Sequence, residues 1–151
     1  MTYVREREIP FLRGHKGLLS QAVYCHTVYF ALAWYALLEE MGYNQTEIMA
    51  YDNNAAFYRN VFIIKTSTFF KLVELMSKAI DIALNNARVR SFLEKDSGYT
   101  RGVSEVAVRV FQTPYYQLHP FIFERLQSFL LHAMKAKVCI PPDTRCSSNY
   151  G

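Results

Sequence analysis

The sequence predicts a helix-dominated α/β domain with a few short strands. Apolar residues recur with the helical period over residues 66–84 and 120–133, whereas residues 61–64 and 106–111 are rich in the β-branched and aromatic side chains typical of strands. A chain of 151 residues suits one domain, and a hydrophobic fraction of 51% is sufficient for a packed core. We therefore predict one folded domain rather than a disordered chain.

The most apolar stretch is residues 17–38, which contain no Asp, Glu, Lys or Arg. A stretch of this length could cross a bilayer. Polar side chains such as Gln21 and His26 occupy its first half, and their transfer into lipid is costly. We predict a single buried helix over residues 17–41, with His26 and Trp34 as core residues; a small membrane-anchored protein is the alternative.

Local signals predict the end of this helix and the start of a second one. Gly42 can adopt the left-handed conformation found after a helix C-terminus. Asn44, with Glu47 three residues later, matches the capping box of a second, short helix.

The clearest helical pattern comes after the strand predicted over residues 61–64. Its apolar positions span residues 66–84, and Thr66, Ser67 or Thr68 is the predicted cap. A further turn is predicted over residues 89–94.

The last third of the chain is predicted to hold a loop, a strand and a helix. Glycines at positions 98 and 102 favour a loop over residues 96–102. Residues 106–111 are predicted as a strand, with a short helix as the alternative. Pro120 suits the first turn of a final helix that places residues 122, 126, 129, 130 and 133 on one face.

Charge and cysteine content exclude some classes of function. The net charge is +4, but Lys and Arg are dispersed, which argues against nucleic-acid binding and leaves association with a membrane surface open.

The three cysteines form no zinc-binding pattern, and both a Cys139–Cys146 disulfide and reduced thiols remain open. The charged N-terminus lacks a signal peptide, so we expect a cytoplasmic or membrane-associated protein, with the secretory lumen left open.

Two motifs carry a resemblance to a known family. Residues 58–65 (YRNVFIIK) run into TSTFF and a long amphipathic helix, and residues 121–126 read FIFERL. In this order they resemble the C-terminal half of capsular and exopolysaccharide glycosyltransferases. Residues 96–100 and 106–120 are also similar to the distal part of mannosyltransferase-like enzymes, in which Thr-Gly-Pro stands in place of Ser97-Gly98-Tyr99.

The resemblance covers about residues 20–137 and implies sugar transfer from a nucleotide-sugar donor to a glycan acceptor. It divides the chain into an N-terminal extension (residues 1–16), a partial glycosyltransferase-like region (residues 17–137) and a tail (residues 138–151). It also implies a divalent cation, Mn²⁺ or Mg²⁺, but the sequence has no Asp-x-Asp pair to bind one and no N-terminal βαβ region to seat a nucleotide.

These departures lead us to expect an incomplete enzyme as an isolated chain. The alternative from a different class is a non-catalytic interaction domain or enzyme remnant. Loss of a covering half would expose apolar surface, so self-association is a further expectation.

Candidate site residues cluster in the 96–102 loop and at the start of the last helix, where backbone N–H groups favour anions. The predicted catalytic residues are Asp96, His119 and Glu124. The predicted substrate-binding residues are Asn60, Tyr99 and Arg125.

Each role has a structural alternative. Asp96 could accept a proton from an acceptor hydroxyl or form a turn. His119 could bind a metal ion or a phosphate, or pack beside two tyrosines. Glu124 and Arg125 could contact substrate or form an internal salt bridge. Asn60 could orient a sugar hydroxyl or satisfy a backbone group.

Overall fold

The computed structural model describes residues 18–50, 64–99 and 105–136. These ranges contain seven helices: α1 (Leu18–Cys25), α2 (Val28–Glu40), α3 (Gln45–Met49), α4 (Thr66–Asn85), α5 (Ala87–Leu93), α6 (Glu105–Phe111) and α7 (His119–Ala133).

The predicted α/β class is wrong for this part of the chain. No strand occurs in the described ranges, and β pairing is confined there to one isolated antiparallel bridge between Asp96 and Gln117. The strand predicted over residues 61–64 falls outside the described residues except for Ile64, which precedes α4.

Helix α2 is the centre of the core. It packs against α1, α3, α4, α5 and α7, and α4 also packs against α5 and α7. Trp34 lies between Phe30 and Phe129, at ring-centroid distances of 5.9 and 5.7 Å. The inward residues of α2 are Phe30, Ala33, Trp34, Ala36, Leu37 and Leu38.

The single helix predicted over residues 17–41 is two helices, broken at His26 and Thr27. Thr27 has an extended backbone, with φ −148° and ψ 170°, and its hydroxyl donates to the Asp96 carbonyl oxygen at 3.2 Å. A contact with a residue so distant in sequence leaves no local signal, which is why the pattern alone suggested continuity. Within the described ranges, every helix is too short or insufficiently apolar to cross a membrane.

The end of α2 and the cap of α3 agree with the prediction. Gly42 has φ 101°, and the Tyr43 N–H bonds the Leu38 carbonyl at 3.0 Å, so the helix ends in a left-handed turn. Both hydrogen bonds of the Asn44–Glu47 capping box are present, which confirms that prediction.

Helix α4 occupies nearly the predicted range but is capped differently. Its N-cap is Lys65, whose side chain makes no capping bond, and not Thr66, Ser67 or Thr68. The turn predicted over residues 89–94 is α5, and Asn86 caps it by accepting from the Val89 N–H at 3.1 Å.

Residues 105–111 form α6 rather than the predicted strand. The alternating valines at 106, 108 and 110 imitate a strand pattern, yet all three are exposed. A helix satisfies its own backbone groups, whereas a strand needs a partner that the described residues do not provide.

The final helix begins at His119, with Pro120 in its first turn as predicted. Ile122, Leu126, Phe129 and Leu130 are buried, but Ala133 is exposed, so the predicted apolar face is correct except at its last position.

Candidate functional site

A groove of about 570 Å³, open to solvent, lies where three segments of the chain meet. The segments are the α1–α2 junction, the loop after α5 and the first turns of α7. The residues that line the groove are Tyr24, Cys25, His26, Gly98, Tyr99, Phe121, Glu124 and Arg125.

Backbone hydrogen bonds hold the loop after α5 in place. The Leu118 N–H bonds the Leu93 carbonyl at 2.9 Å, and the Ser97 N–H bonds the Tyr116 carbonyl at 2.8 Å. These contacts fix the loop against the chain that leads into α7.

Gly98 brings the same loop against the α1–α2 junction. Its φ is +66°, and a Cβ at this position would lie 2.8 Å from the His26 carbonyl oxygen and 2.9 Å from Thr27 Cγ2. Glycine is therefore required both by the backbone conformation and by the space available.

Arg125 lies in the inner wall of the groove, with 4% of its surface exposed. Its guanidinium donates to the Gln21 side-chain oxygen at 3.0 Å and to the Phe121 carbonyl at 3.1 Å, and it lies 5.4 Å from the Phe30 ring centroid. One of its nitrogens is 3.5 Å from a Glu124 carboxylate oxygen. The arginine thus joins α1 to α7 from inside the protein.

His26 contributes a neutral imidazole to the groove. Its ring lies 4.2 Å from the Phe121 ring and 5.7 Å from the Phe30 ring, centroid to centroid. Burial and the nearby Arg125 charge lower the pKa of His26 to about 4, although the Ser97 backbone opposes this change. Its Nδ1 atom is buried and has no hydrogen-bond partner among the described residues.

Aromatic rings form the outer part of the groove. Tyr99 is 40% exposed, and its ring lies 5.4 Å from Phe121 and 5.6 Å from Tyr116. Tyr24, which is 70% exposed, lies at the α1–α2 junction. The Glu124 side chain, 31% exposed, places a carboxylate beside these rings.

The groove brings together three of the predicted site residues: Tyr99, Glu124 and Arg125. Arg125 and Glu124 also form an internal ion pair, which is the structural alternative to a substrate contact. Asn60 lies outside the described residues.

Asp96 and His119 are not among the residues that line the groove. Asp96 accepts from the Gly98 N–H at 2.8 Å and so stabilises the turn in which Gly98 lies. His119 is half-buried; burial lowers its pKa and the negative charge of Glu94 opposes this.

The other five groove residues are not among the predicted site residues: Tyr24, Cys25, His26, Gly98 and Phe121. His26 was assigned to the core, and its ring does stack on core aromatics. The available signal was a polar side chain within a long apolar stretch, but its proximity to Gly98 depends on a contact between distant segments.

The described residues contain no group of three His, Cys, Asp or Glu side chains that could hold a metal ion. The divalent cation implied by the resemblance therefore has no ligand set among them. Comparisons with protein-family models, with curated proteins and with solved structures give no match for this chain.

Proposed function

We propose that the groove binds a sugar, and that the chain supplies the acceptor side of a glycosyltransferase that uses a nucleotide-sugar donor. The observation that carries this proposal is the combination, in one open groove, of aromatic rings from separate segments with a carboxylate and a neutral imidazole.

The aromatic rings suit the apolar C–H faces of a sugar ring. Tyr99 and Phe121 lie 5.4 Å apart, and Tyr24 adds a third, exposed ring. Aromatic side chains provide a large contact surface, and a tyrosine hydroxyl can also hydrogen-bond to a ligand.

The polar groups of the groove suit sugar hydroxyls. The Glu124 carboxylate is an acceptor, and a neutral His26 can donate from one ring nitrogen and accept at the other. Because the Nδ1 atom of His26 is buried, only the other ring nitrogen could meet a ligand in the groove.

In the proposed reaction, an acceptor hydroxyl oxygen forms a bond to the anomeric carbon of the donor sugar. The proton of that hydroxyl passes to the Glu124 carboxylate, and the bond from the anomeric carbon to the nucleotide diphosphate breaks. Under this proposal, the donor contacts and the divalent cation lie outside the described residues or on a partner chain.

Ligand-observed NMR with methyl glucoside and methyl mannoside tests sugar binding by the purified chain. We expect Tyr99→Ala to weaken binding by about 2- to 12-fold, the loss of one aromatic contact. Tyr29→Ala is the matched control, because Tyr29 is 41% exposed but lies on α2 and does not line the groove. Absence of glycoside binding, or equal losses in the two variants, would refute the proposal.

A second candidate function is self-association through α4, favoured by one observation. Phe69, Val73, Ile80 and Leu84 share one side of this helix and are all exposed. Along the helix, Phe69 and Leu84 lie at equal distances on either side of the midpoint of this apolar side, and so do Val73 and Ile80. A two-fold axis at this midpoint would therefore pair apolar residues with apolar residues of a second copy.

Light scattering coupled to size-exclusion chromatography tests this second candidate. Ile80→Glu should shift the chain from dimer to monomer, whereas Lys71→Glu, on the polar side of α4, should not. A wild-type chain that is monomeric at high concentration would exclude it.

A further inference from the structure

We infer that Asp96, which the sequence predicts as a catalytic residue, is a positioning residue that holds the Tyr99 ring at the groove. This inference rests on the proposed sugar-binding function, in which Tyr99 provides one of the aromatic surfaces. It implies that Asp96 affects binding through Tyr99 and that an uncharged acceptor can replace the carboxylate.

The Asp96 side chain forms a turn within its own loop. One carboxylate oxygen accepts from the Gly98 N–H at 2.8 Å. Gly98 directly precedes Tyr99, so this bond sets the direction in which the backbone reaches the Tyr99 side chain. Asparagine side chains form the same kind of turn with the same acceptor oxygen. The turn therefore requires an acceptor at position 96 and not a negative charge.

The backbone around this turn is held from two sides. At the α1–α2 junction, the Thr27 hydroxyl donates to the Asp96 carbonyl oxygen at 3.2 Å, and the Thr27 methyl group would lie 2.9 Å from a Gly98 Cβ. On the side that leads into α7, the Ser97 N–H donates to the Tyr116 carbonyl oxygen at 2.8 Å, and Ser97 is fully buried. The residues before Tyr99 thus have a defined position relative to both of these segments.

Tyr99 continues this arrangement to the groove. Its N–H donates to the Ser97 hydroxyl at 3.4 Å. Its ring lies 5.6 Å from the Tyr116 ring and 5.4 Å from the Phe121 ring, yet the residue is 40% exposed. A ring that its neighbours already order loses little conformational entropy when it contacts a ligand.

Loss of the Asp96 acceptor should release this order at Gly98. Glycine has the greatest backbone freedom of any residue, so without the bond the backbone at Gly98 and Tyr99 gains alternative conformations. The apparent affinity for a ligand falls with the fraction of molecules in which the ring is correctly placed. A residue that does not line the groove thereby influences binding at the groove.

The first experiment is an NMR titration of the full chain with methyl glucoside. We expect Asp96→Ala to weaken binding about two- to fivefold, the lower part of the range for one hydrogen bond, because this bond is exposed. Asp96→Asn should keep the wild-type affinity, because its amide oxygen can accept from the same N–H.

Asn44→Ala is the matched control for a merely structural effect. Asn44 also accepts a backbone N–H at an exposed position, that of Glu47 at 3.0 Å, but it does not line the groove. Its replacement should lower the urea midpoint and leave the affinity for methyl glucoside unchanged.

A double-mutant cycle tests whether Asp96 acts through Tyr99. In a chain that already carries Tyr99→Ala, the further change Asp96→Ala should cause no additional loss of affinity. Additive losses would mean that Asp96 contributes to binding independently of Tyr99.

The ring-proton chemical shifts of Tyr99 report its position without any ligand, because the Tyr116 and Phe121 rings lie beside it. The signals are assigned by their absence from the spectrum of Tyr99→Ala. They should move towards the values of an unstructured tyrosine in Asp96→Ala and stay in place in Asp96→Asn.

The outcomes separate this inference from the function on which it rests. If methyl glucoside does not bind the wild-type chain, the proposed function fails and this inference fails with it. If it binds, only the positioning role is overturned by any of three results: Asp96→Asn loses as much affinity as Asp96→Ala, Asp96→Ala changes neither the affinity nor the Tyr99 shifts, or the losses in the cycle are additive.

Discussion

The groove and the outer face of α4 are built in opposite ways. At the groove, polar contacts join segments that are far apart in sequence, such as Thr27 with Asp96 and Gln21 with Arg125. On α4, exposed apolar residues such as Leu84, at 61% exposure, continue beside a narrow buried stripe of Leu72, Ala79 and Ala83.

This difference separates structural from interaction roles. A substitution in the groove wall should disturb packing as well as binding, because the same groups hold the helices together. A substitution on the outer face of α4 should change what the protein contacts and leave its stability nearly unchanged.

The largest expected effect is that of Gly98→Ala. The added Cβ would meet the His26 carbonyl oxygen at 2.8 Å in a left-handed backbone, so we expect a loss of about 2–4 kcal/mol in unfolding free energy. Gly42→Ala is a matched control, since Gly42 also has positive φ but nothing lies within 4 Å of its Cβ position. Urea denaturation should show a clearly smaller loss for the control; similar losses would mean that the close contact at Gly98 does not matter.

Arg125→Ala should have the next largest effect. It removes the hydrogen bonds to Gln21 and Phe121 and the packing over Phe30, and we expect a loss of about 1–3 kcal/mol. The control is Arg88→Ala, which removes an exposed 3.0 Å pair with Glu39 and should cost about 0–1 kcal/mol. Equal urea midpoints for the two variants would contradict the claim that the groove arginine contributes more to stability than a surface arginine.

Acidification should weaken the groove region by a smaller amount. The folded-state pKa of His26 is about 4, below its ordinary value of 6.5, so folding favours the neutral ring. The contribution of His26 to the unfolding free energy is therefore retained above pH 6.5 and lost as the pH falls towards 4. With an allowance for partial exposure of the ring, we expect a loss of about 1 kcal/mol between pH 7 and pH 5.

His26→Phe provides the control for this pH dependence. It keeps an aromatic ring against Phe30 and Phe121 but cannot bind a proton. His119, whose pKa is also lowered by burial, retains a contribution of the same sign. Urea midpoints measured across this range should depend less on pH in the variant than in the wild type; an unchanged dependence would exclude His26 as its source.

The smallest expected effect is that of Leu84→Ser on α4. Because the side chain is largely exposed, the unfolding free energy should change by about 0.5 kcal/mol or less. The same denaturation experiment with Leu72→Ser, one of the buried residues of α4, should show a far larger loss. A large loss for Leu84→Ser in a monomeric sample would show that this face is covered within one chain.

The sequence predicted features that depend on neighbouring residues. Gly42, the Asn44–Glu47 capping box and Pro120 each act within a few residues, and each helix boundary they predict is close to the observed one. The alternating valines of residues 106–110 led to a wrong prediction. Alternation of apolar residues favours a strand, but it does not show whether a second strand is present to pair with it.

The groove was only partly predictable for the same reason. The sequence placed Tyr99, Glu124 and Arg125 in two candidate segments, and these segments do meet. It could not show that the α1–α2 junction joins them, or that Arg125 faces inward, because both facts depend on contacts such as Gln21–Arg125 across 104 residues.

This separation along the chain also has a consequence for the order of folding. Helices α4 and α5 are consecutive and can pack after closing a short loop, whereas the Gln21–Arg125 and Thr27–Asp96 contacts close loops of 104 and 69 residues. Closure of long loops is entropically more costly and slows the formation of such contacts. We therefore expect the groove to assemble late, after the α4–α5 pair, so that ligand binding at the groove reports completed folding.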